Sequence, residues 1–173
     1  MKKFYITGVS GTGKTTSGQH LMEKGIPSFD IGTVPGLCYW RNKVTKESAV
    51  YTAGAKKDWF ESHERFCDPE KLQEILEKEN GVRVVTGTAS NQDEYLHLFD
   101  KVFLLQCKPE TFVYRLQTRS TNAFAGTPHE QELVIEWQKT FDKHLLELGA
   151  IPISSEGPVE KVVDVLMKII QEN

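Results

Sequence analysis

Apolar runs alternate with amphipathic stretches along the whole chain. "KFYIT" (3–7), "IPSFDI" (26–31), "VRVVT" (82–86), "KVFLLQC" (101–107) and "AIPIS" (150–154) are short, apolar and bounded by polar or turn residues, so each predicts a strand. The near-continuous apolarity of 101–107 marks a strand covered on both faces. Between these runs, apolar residues recur at helical spacing. A first helix begins in the glycine-rich turn after the first strand and stops at Gly25, and another is expected around 55–66. A third opens with Asp68 as N-cap and Pro69 at the first helical position, and ends at the turn pair Asn80-Gly81. "NQDEYLHLF" (91–99) predicts a short helix and Pro109 opens one that reaches Thr118. After a loop over 119–131, "ELVIEWQKTFDKHLLELG" (132–149) reads as amphipathic, and "PVEKVVDVLMKIIQ" (158–171) closes the chain. This alternation, with no internal repeat or low-complexity linker, predicts an α/β protein with a parallel sheet between two helical layers, in a single domain over 1–173. Ligands of such sheets bind beyond the carboxyl ends of the strands. The polar segments starting at Gly8, Asp30, Gly87, Lys108 and Ser154 are therefore candidate walls of one site.

Composition narrows the picture without redirecting it. The 173 residues suffice for one well-buried core, and 39% hydrophobic with 26% charged residues is the balance of a soluble globular protein. A net charge of −3 with dispersed basic residues argues against nucleic acid as a partner. The apolar run at the N-terminus breaks at Gly8, short of a secretory signal, and no segment approaches the ~20 apolar residues of a membrane span. The expectation is a cytoplasmic protein without a membrane partner. Cys38, Cys67 and Cys107 lie far apart in sequence and form neither a disulfide framework nor a zinc-spaced set. His20, His97 and His144 fall in helical patterns with no placed chemical partner.

The chemistry is concentrated in "ITGVSGTGKTTSG" (6–18). Gly8, Gly13, Lys14 and Thr15 satisfy G-x-x-x-x-G-K-[ST] directly after a predicted strand and before a predicted helix, the context this phosphate-binding motif requires. Gly8 lets the chain turn tightly out of the strand. Gly11 and Gly13 let bare backbone N–H groups close on phosphate oxygens, with Thr12 and Thr16 in the same cradle. The helix that starts near Lys14 points its unpaired N–H groups at the same anion. Lys14 should reach the β- and γ-phosphates and the Thr15 hydroxyl should bind Mg²⁺, so ATP and Mg²⁺ are the expected cofactors.

With these residues in view, the chain resembles the small P-loop kinases, the group containing shikimate kinase, gluconate kinase and the nucleoside monophosphate kinases. The likeness runs through "GVSGTGKTT", "FDIGT" at the second strand, "VVTGTA" at the third, "RLQTR" before a loop and "ISSEGPVEKVV" near the end. It implies a P-loop NTPase sandwich with five parallel strands in the order 2-3-1-4-5. It also implies an acceptor-binding subdomain over 32–66 and a lid over about 119–130. The implied activity is transfer of the γ-phosphoryl of ATP to a hydroxyl of a small-molecule acceptor.

The remaining candidates follow from that resemblance. No acid ends the third strand, so Asp30, at the end of the second, is expected to orient or deprotonate the acceptor hydroxyl or to hold Mg²⁺ through water. An Asx-type turn after the strand explains the same residue structurally. The shikimate kinases carry a second acid where this chain has Gly32, which speaks against shikimate as substrate. Gly87 either lets backbone approach the acceptor or is a turn glycine. Segment 32–66 holds Trp40, Trp59, Phe60 and Arg41, which line an acceptor pocket or simply pack the subdomain, and an acceptor phosphate could meet Arg41, Lys43 or Arg65. Arg115 and Arg119 lie one helical turn apart and either stabilise the transferring phosphoryl from a lid or decorate a helix C-terminus. The segment "SSEGPVEK" resembles the loop that covers adenine in these kinases, with contact through backbone and Pro158, or is an ordinary strand-to-helix turn with Pro158 near the helix start. A hydroxylated metabolite or nucleoside is preferred over a nucleotide as acceptor. The rival reading is an ATP-binding regulator or slow ATPase with no small-molecule acceptor.

Overall fold

The computed structural model describes residues 2–78, 81, 83–120 and 123–172. In chain order the elements are β1 (Lys3–Thr7), α1 (Lys14–Glu23), β2 (Ser28–Asp30), β3 (Cys38–Asn42), β4 (Ser48–Ala49), α2 (Lys57–Ser62), β5 (His63–Cys67) and α3 (Pro69–Glu77). There follow β6 (Arg83–Thr86), two single 3-10 turns at Gln92–Glu94 and Leu96–Leu98, β7 (Lys101–Gln106), α4 (Pro109–Thr118), α5 (Pro128–Glu147), β8 (Ile151–Ser154) and α6 (Val159–Gln171).

Five strands form a parallel sheet in the order β2-β6-β1-β7-β8. Numbering only these five along the chain gives 2-3-1-4-5, because β3, β4 and β5 belong to a second sheet. Alternation along each strand divides the core in two. Phe4 and Ile6 of β1 face one side with Val84, Phe103 and Leu105, where Leu21 of α1 and Val162, Val163 and Leu166 of α6 cover them. Tyr5 faces the other side and packs with Val85, Leu72 and Leu76 of α3, Tyr95 and Phe99. Further along that face, Leu145 of α5 covers Leu104. No helix of the described residues is long and apolar enough to cross a membrane.

Most helix starts lie where the sequence puts them. The Asp68 side chain accepts from Lys71 N at 3.1 Å ahead of Pro69, and Pro109 opens α4. The turn expected at Asn80-Gly81 has Asn80 outside the described residues, as is Val82 of the third parallel strand and Thr121 and Asn122 of the expected lid. Three expectations are corrected. The helix placed at 132 starts earlier, at Pro128, because Thr127 and Glu130 form a reciprocal capping box. The short helix at 91–99 is a pair of 3-10 turns. The helix expected around 55–66 ends at Ser62, where the Ser62 hydroxyl donates to Asp58 O and Trp59 O and the His63 ring, also hydrogen-bonded to Trp59 O, stacks on Trp59. These side chains satisfy the last carbonyls and release the chain into β5, which pairs antiparallel with the distant β3.

One glycine sets the spacing of the layers near the phosphate loop. A Cβ on Gly18, inside α1, would lie 2.8 Å from Thr86 Cγ2 and 2.9 Å from Ser28 Oγ, so α1 packs against β2 and β6 at a distance open only to glycine. Gly18→Ala is expected to lower stability by about 1–3 kcal/mol through overpacking, outweighing alanine's better helix propensity. Urea unfolding should show a lower midpoint with an unchanged slope.

Candidate active site

The phosphate loop connects β1 to α1, and its glycines are set there by space as well as by backbone angle. A Cβ on Gly8 would meet Leu105 O at 2.6 Å and Thr12 Oγ1 at 2.7 Å, and one on Gly11 would meet Phe112 O at 2.7 Å. Gly13, at φ 95°, is the N-cap of α1 and offers no side chain to its first turn, which carries no acid. The helix amides are thus left for an external anion. Thr12 is buried and turns its hydroxyl inward, onto Val9 O at 2.8 Å, so it shapes the loop, while Thr15 and Thr16 are exposed. Lys14 Nζ donates to Gly8 O at 2.7 Å and Val9 O at 3.0 Å, which curls the ammonium over the loop. A cradle of free amides, a lysine and a threonine hydroxyl fits nucleotide phosphates and a divalent cation.

Asp30 is the hub of the opposite wall. Its Oδ2 accepts from the Thr15 hydroxyl at 3.0 Å and from the Thr86 hydroxyl at 3.0 Å, and its Oδ1 accepts from Gly32 N at 2.8 Å. The Asx-type turn considered for Asp30 is present in the bond from Gly32 N, and the same carboxylate also touches the phosphate loop through Thr15. Among the described residues no three His, Cys, Asp or Glu side chains cluster as a metal cage. Thr15 and Asp30 together fit a magnesium ion that keeps water and phosphate oxygens as its other ligands.

The small antiparallel sheet β4-β3-β5 forms the third wall. The outer edge of β5 is sewn to the loop after β6. Arg65 N donates to Ser90 Oγ at 3.2 Å and Ser90 N to Arg65 O at 2.7 Å, and Asn91 exchanges two bonds of 2.9 Å with Cys67 N and O. The strand alternation then sorts the side chains. Arg65 points into the cleft, where a Cβ on Gly32 would lie 2.9 Å from its Nη2 and 3.1 Å from Asp30 Oδ1, and its guanidinium makes no ion pair with the described residues. Arg41 lies on the opposite face, bonded to Glu64 at 2.8 Å and stacked 3.4 Å above the Phe66 ring. Lys43 is engaged with Phe60 O and Glu61 O. Of the three cations considered for an acceptor anion, Arg65 is the one turned to Asp30, and the expectation for Arg41 is corrected by the two-residue period of the strand.

The aromatic residues of this region pack on one another. Trp40 lies 5.0 Å from Trp59 and 5.9 Å from Phe60, and Phe124, from the segment after α4, joins them at 6.2 Å from Trp40 and 5.7 Å from Tyr51. Trp137 of α5 closes the cluster at 5.4 Å from Phe60. Trp40 thus packs in this cluster while lying opposite Arg65 in the register, on the same face of the small sheet. Gly87 is explained the same way, since a Cβ there would lie 2.3 Å from Ile31 Cγ1. The buried Glu130 carboxylate fastens the same junction by accepting from Tyr51 Oη, from Gly54 N at 3.1 Å and from the Thr127 hydroxyl at 3.0 Å.

The two arginines of α4 and the residue after it part company. Arg115 donates to Ser155 O at 2.7 Å and to Gly11 O at 3.5 Å, which bridges the phosphate loop to the loop that leads through Pro158 into α6. Arg119 donates to Phe124 O, and its buried Nε has no partner among the described residues. Burial lowers the Lys14 pKa to about 8, with Asp30 opposing the shift and Arg119 and Arg65 adding to it. Lys14, Asp30, Arg119 and Arg65 thus share one electrostatic site.

A family model described as an AAA domain matches residues 5–136, from the first strand into α5 and more than half of the chain. The chain belongs to the AAA domain family. Three solved structures share its fold. A shikimate kinase from Acinetobacter baumannii in complex with shikimate is 20% identical at TM-score 0.61, over 99% of this chain and 92% of that one. A gluconokinase from Sinorhizobium meliloti 1021 is 16% identical at TM-score 0.60, over 99% and 92%. A deoxyadenosine kinase from M. mycoides with bound dATP is 17% identical at TM-score 0.59, over 99% and 100%. No curated protein matches the chain in sequence. The architecture is that of the small P-loop kinases, as the motif and element order imply.

The Lys14 pKa sets a pH dependence. The ammonium is the form that would attract phosphate, and in the free protein it is lost as pH rises through about 8. Nucleotide affinity should be flat from pH 6.5 to 7.5 and then fall towards tenfold per pH unit above about 8. Calorimetric titration with a non-hydrolysable ATP analogue checks this, with Lys14→Ala weak at every pH.

Proposed function

We propose that this protein is an ATP- and Mg²⁺-dependent kinase that moves the γ-phosphoryl of ATP to a hydroxyl of a small acceptor held between Asp30 and β5. The observation that carries the reading is the hydrogen bond from Thr15 to Asp30 at 3.0 Å, with the Arg65 guanidinium, which makes no ion pair with the described residues, near the same carboxylate at Gly32. It joins the metal-side residue of a phosphate loop to a carboxylate that shares its surroundings at Gly32 with the Arg65 guanidinium.

The chain's own groups then have distinct tasks. The loop amides and Lys14 fix the phosphates, and Arg115 with the Ser155–Pro158 loop walls the nucleotide side. Thr15 and Asp30 would hold magnesium, which would supply positive charge against the charge that develops during transfer. Thr15 and Thr86 hold the Asp30 carboxylate in one orientation, from which it aligns the acceptor hydroxyl and takes its proton. The orphan Nε of Arg119 is a donor for charge on the transferring group. The Phe124 segment, docked on the aromatic cluster, keeps water out, so transfer outcompetes hydrolysis. Arg65 shifts the preferred acceptor from a neutral metabolite or nucleoside to one that also bears a carboxylate or phosphate, the anions a guanidinium grips through two parallel hydrogen bonds.

A screen for acceptor-stimulated ADP release, with hydroxy acids and sugar phosphates set against neutral sugars and nucleosides, tests the reading. An anionic compound should stimulate turnover. With it, Asp30→Asn should cut kcat by about 10²–10⁴-fold with nucleotide affinity nearly unchanged, and Arg65→Met should raise the acceptor KM. ATP turnover that no compound stimulates, and that Asp30→Asn leaves intact, would establish the ATPase or regulator instead.

A further inference from the structure

The three cysteines are all free thiols, yet two of them meet. Cys38 of β3 and Cys67 of β5 are directly opposed in the antiparallel register. Which type of opposed pair they form follows from where their neighbours' backbone bonds go. Cys67 sends both its N–H and its C=O outward to Asn91, and Arg65, two residues earlier, sends both of its own to Ser90. The residues of β5 that bond to β3 are therefore the alternate ones, and Cys38–Cys67 is a non-hydrogen-bonded pair. Pairs of that type bring Cα atoms to about 4.5 Å with side chains on one face, inside the roughly 4.4–6.8 Å that a disulfide spans. Their thiols also interact directly, which favours the Cys38 thiolate, with the Arg65 charge helping, and pushes the Cys67 thiol up.

We propose that Cys38 and Cys67 are a redox modification site, forming a reversible cross-strand disulfide that closes the small sheet into a covalent loop. The asymmetry of burial gives the order of events. Cys38 is half-buried and Cys67 has no exposed surface, so an external disulfide meets Cys38 first. The Cys38 thiolate attacks a low-molecular-weight disulfide such as oxidised glutathione, forms a mixed disulfide and expels one thiolate. Cys67 then loses its proton and attacks Cys38 Sγ, expelling the second. Two protein thiols are oxidised and one external disulfide is reduced to two thiols. No strand has to separate, because the register already opposes the two sulfurs. The segment so closed contains β3, β4, α2 and β5, which carries Arg65. Cys107, buried near Arg115 on another part of the molecule, supplies an internal control.

The test incubates the full chain with oxidised glutathione, then alkylates free thiols in denaturant and maps the peptides. Cys38 and Cys67 should be recovered as one linked pair, with Cys107 alkylated and no glutathione retained, and dithiothreitol should restore all three thiols. Cys67→Ser should instead retain one glutathione on Cys38. The oxidised wild type should melt about 5–10 °C above the reduced form, because the link restricts the unfolded chain. Recovery of all three thiols as alkylated, a glutathione held stably on wild-type Cys38, or a link to Cys107 would overturn the proposal. So would an oxidised form that melts below the reduced one, since the link would then be straining the sheet.

Discussion

The contact between Thr15 and Asp30 depends on how closely α1 lies on the edge of the parallel sheet, and that approach exists because Gly18 has no side chain. A methyl group there would push the helix off Thr86 and Ser28, which belong to the two strands the contact must reach. Thr86 in turn donates to the same Asp30 oxygen, so the third parallel strand, which has no acid of its own, fixes the acid of its neighbour. The Thr88 hydroxyl, two residues on, donates to Gly8 O at 2.7 Å and ties the same strand end to the phosphate loop. The loop, the second strand and the third strand therefore keep one relative position through three short hydrogen bonds and one missing Cβ. Phosphoryl transfer draws most of its acceleration from positioning and fixed charge, so an arrangement of this rigidity is itself chemical equipment.

The other side of the cleft is closed by a different physics. Phe124, after α4, enters an aromatic cluster built mainly from the small sheet and α2, and Glu130 accepts from Tyr51, Gly54 and Thr127 together. A buried carboxylate surrounded by donors is costly to leave half-satisfied, so this junction favours being either fully formed or fully open. The segment after α4 and the small sheet are hence coupled, because each completes the other's burial. In the proposed kinase, nucleotide contacts through Arg119 and acceptor contacts through Arg65 would act on the same junction.

The parallel sheet, its order and the phosphate loop were legible because their signals are local: unbroken apolar runs, Pro and Asp at helix starts, and glycines at fixed offsets from a lysine. The small sheet was not. Its central pairing joins β3 to β5 across distant sequence, and "CYWRN" carries mixed aromatic and charged residues with no simple apolar period. The end of α2 lies in side-chain caps from Ser62 and His63 that propensity does not report. Of the candidate residues, Lys14, Thr15 and Asp30 were readable from motif and strand end. Arg41 and Arg65 were indistinguishable until register put them on opposite faces. Gly18 and Thr86 carried no signal, since their importance is a distance between elements. The capping box at Thr127 and Glu130 was readable as T-x-x-E with Pro128, so the later start given to that helix had no physical excuse.

Three cations and one carboxylate face each other in a protein whose net charge is −3. The positive field of the cleft is therefore local, made by focusing rather than by overall charge. Lys14 responds to it, because burial and two guanidinium groups act together against the ammonium, while Asp30 and, less strongly, Cys107 support it. That mutual repulsion is present whenever the cleft holds no anion and is relieved when one enters. A polyanion that spans from the phosphate loop to Arg65 relieves more of it than two separate anions with the same total charge, because one body loses its freedom once. The transition state of phosphoryl transfer is such a body, joining nucleotide and acceptor through the transferring group. The same geometry that leaves the free site electrostatically uncomfortable thus favours the joined state over either ligand alone.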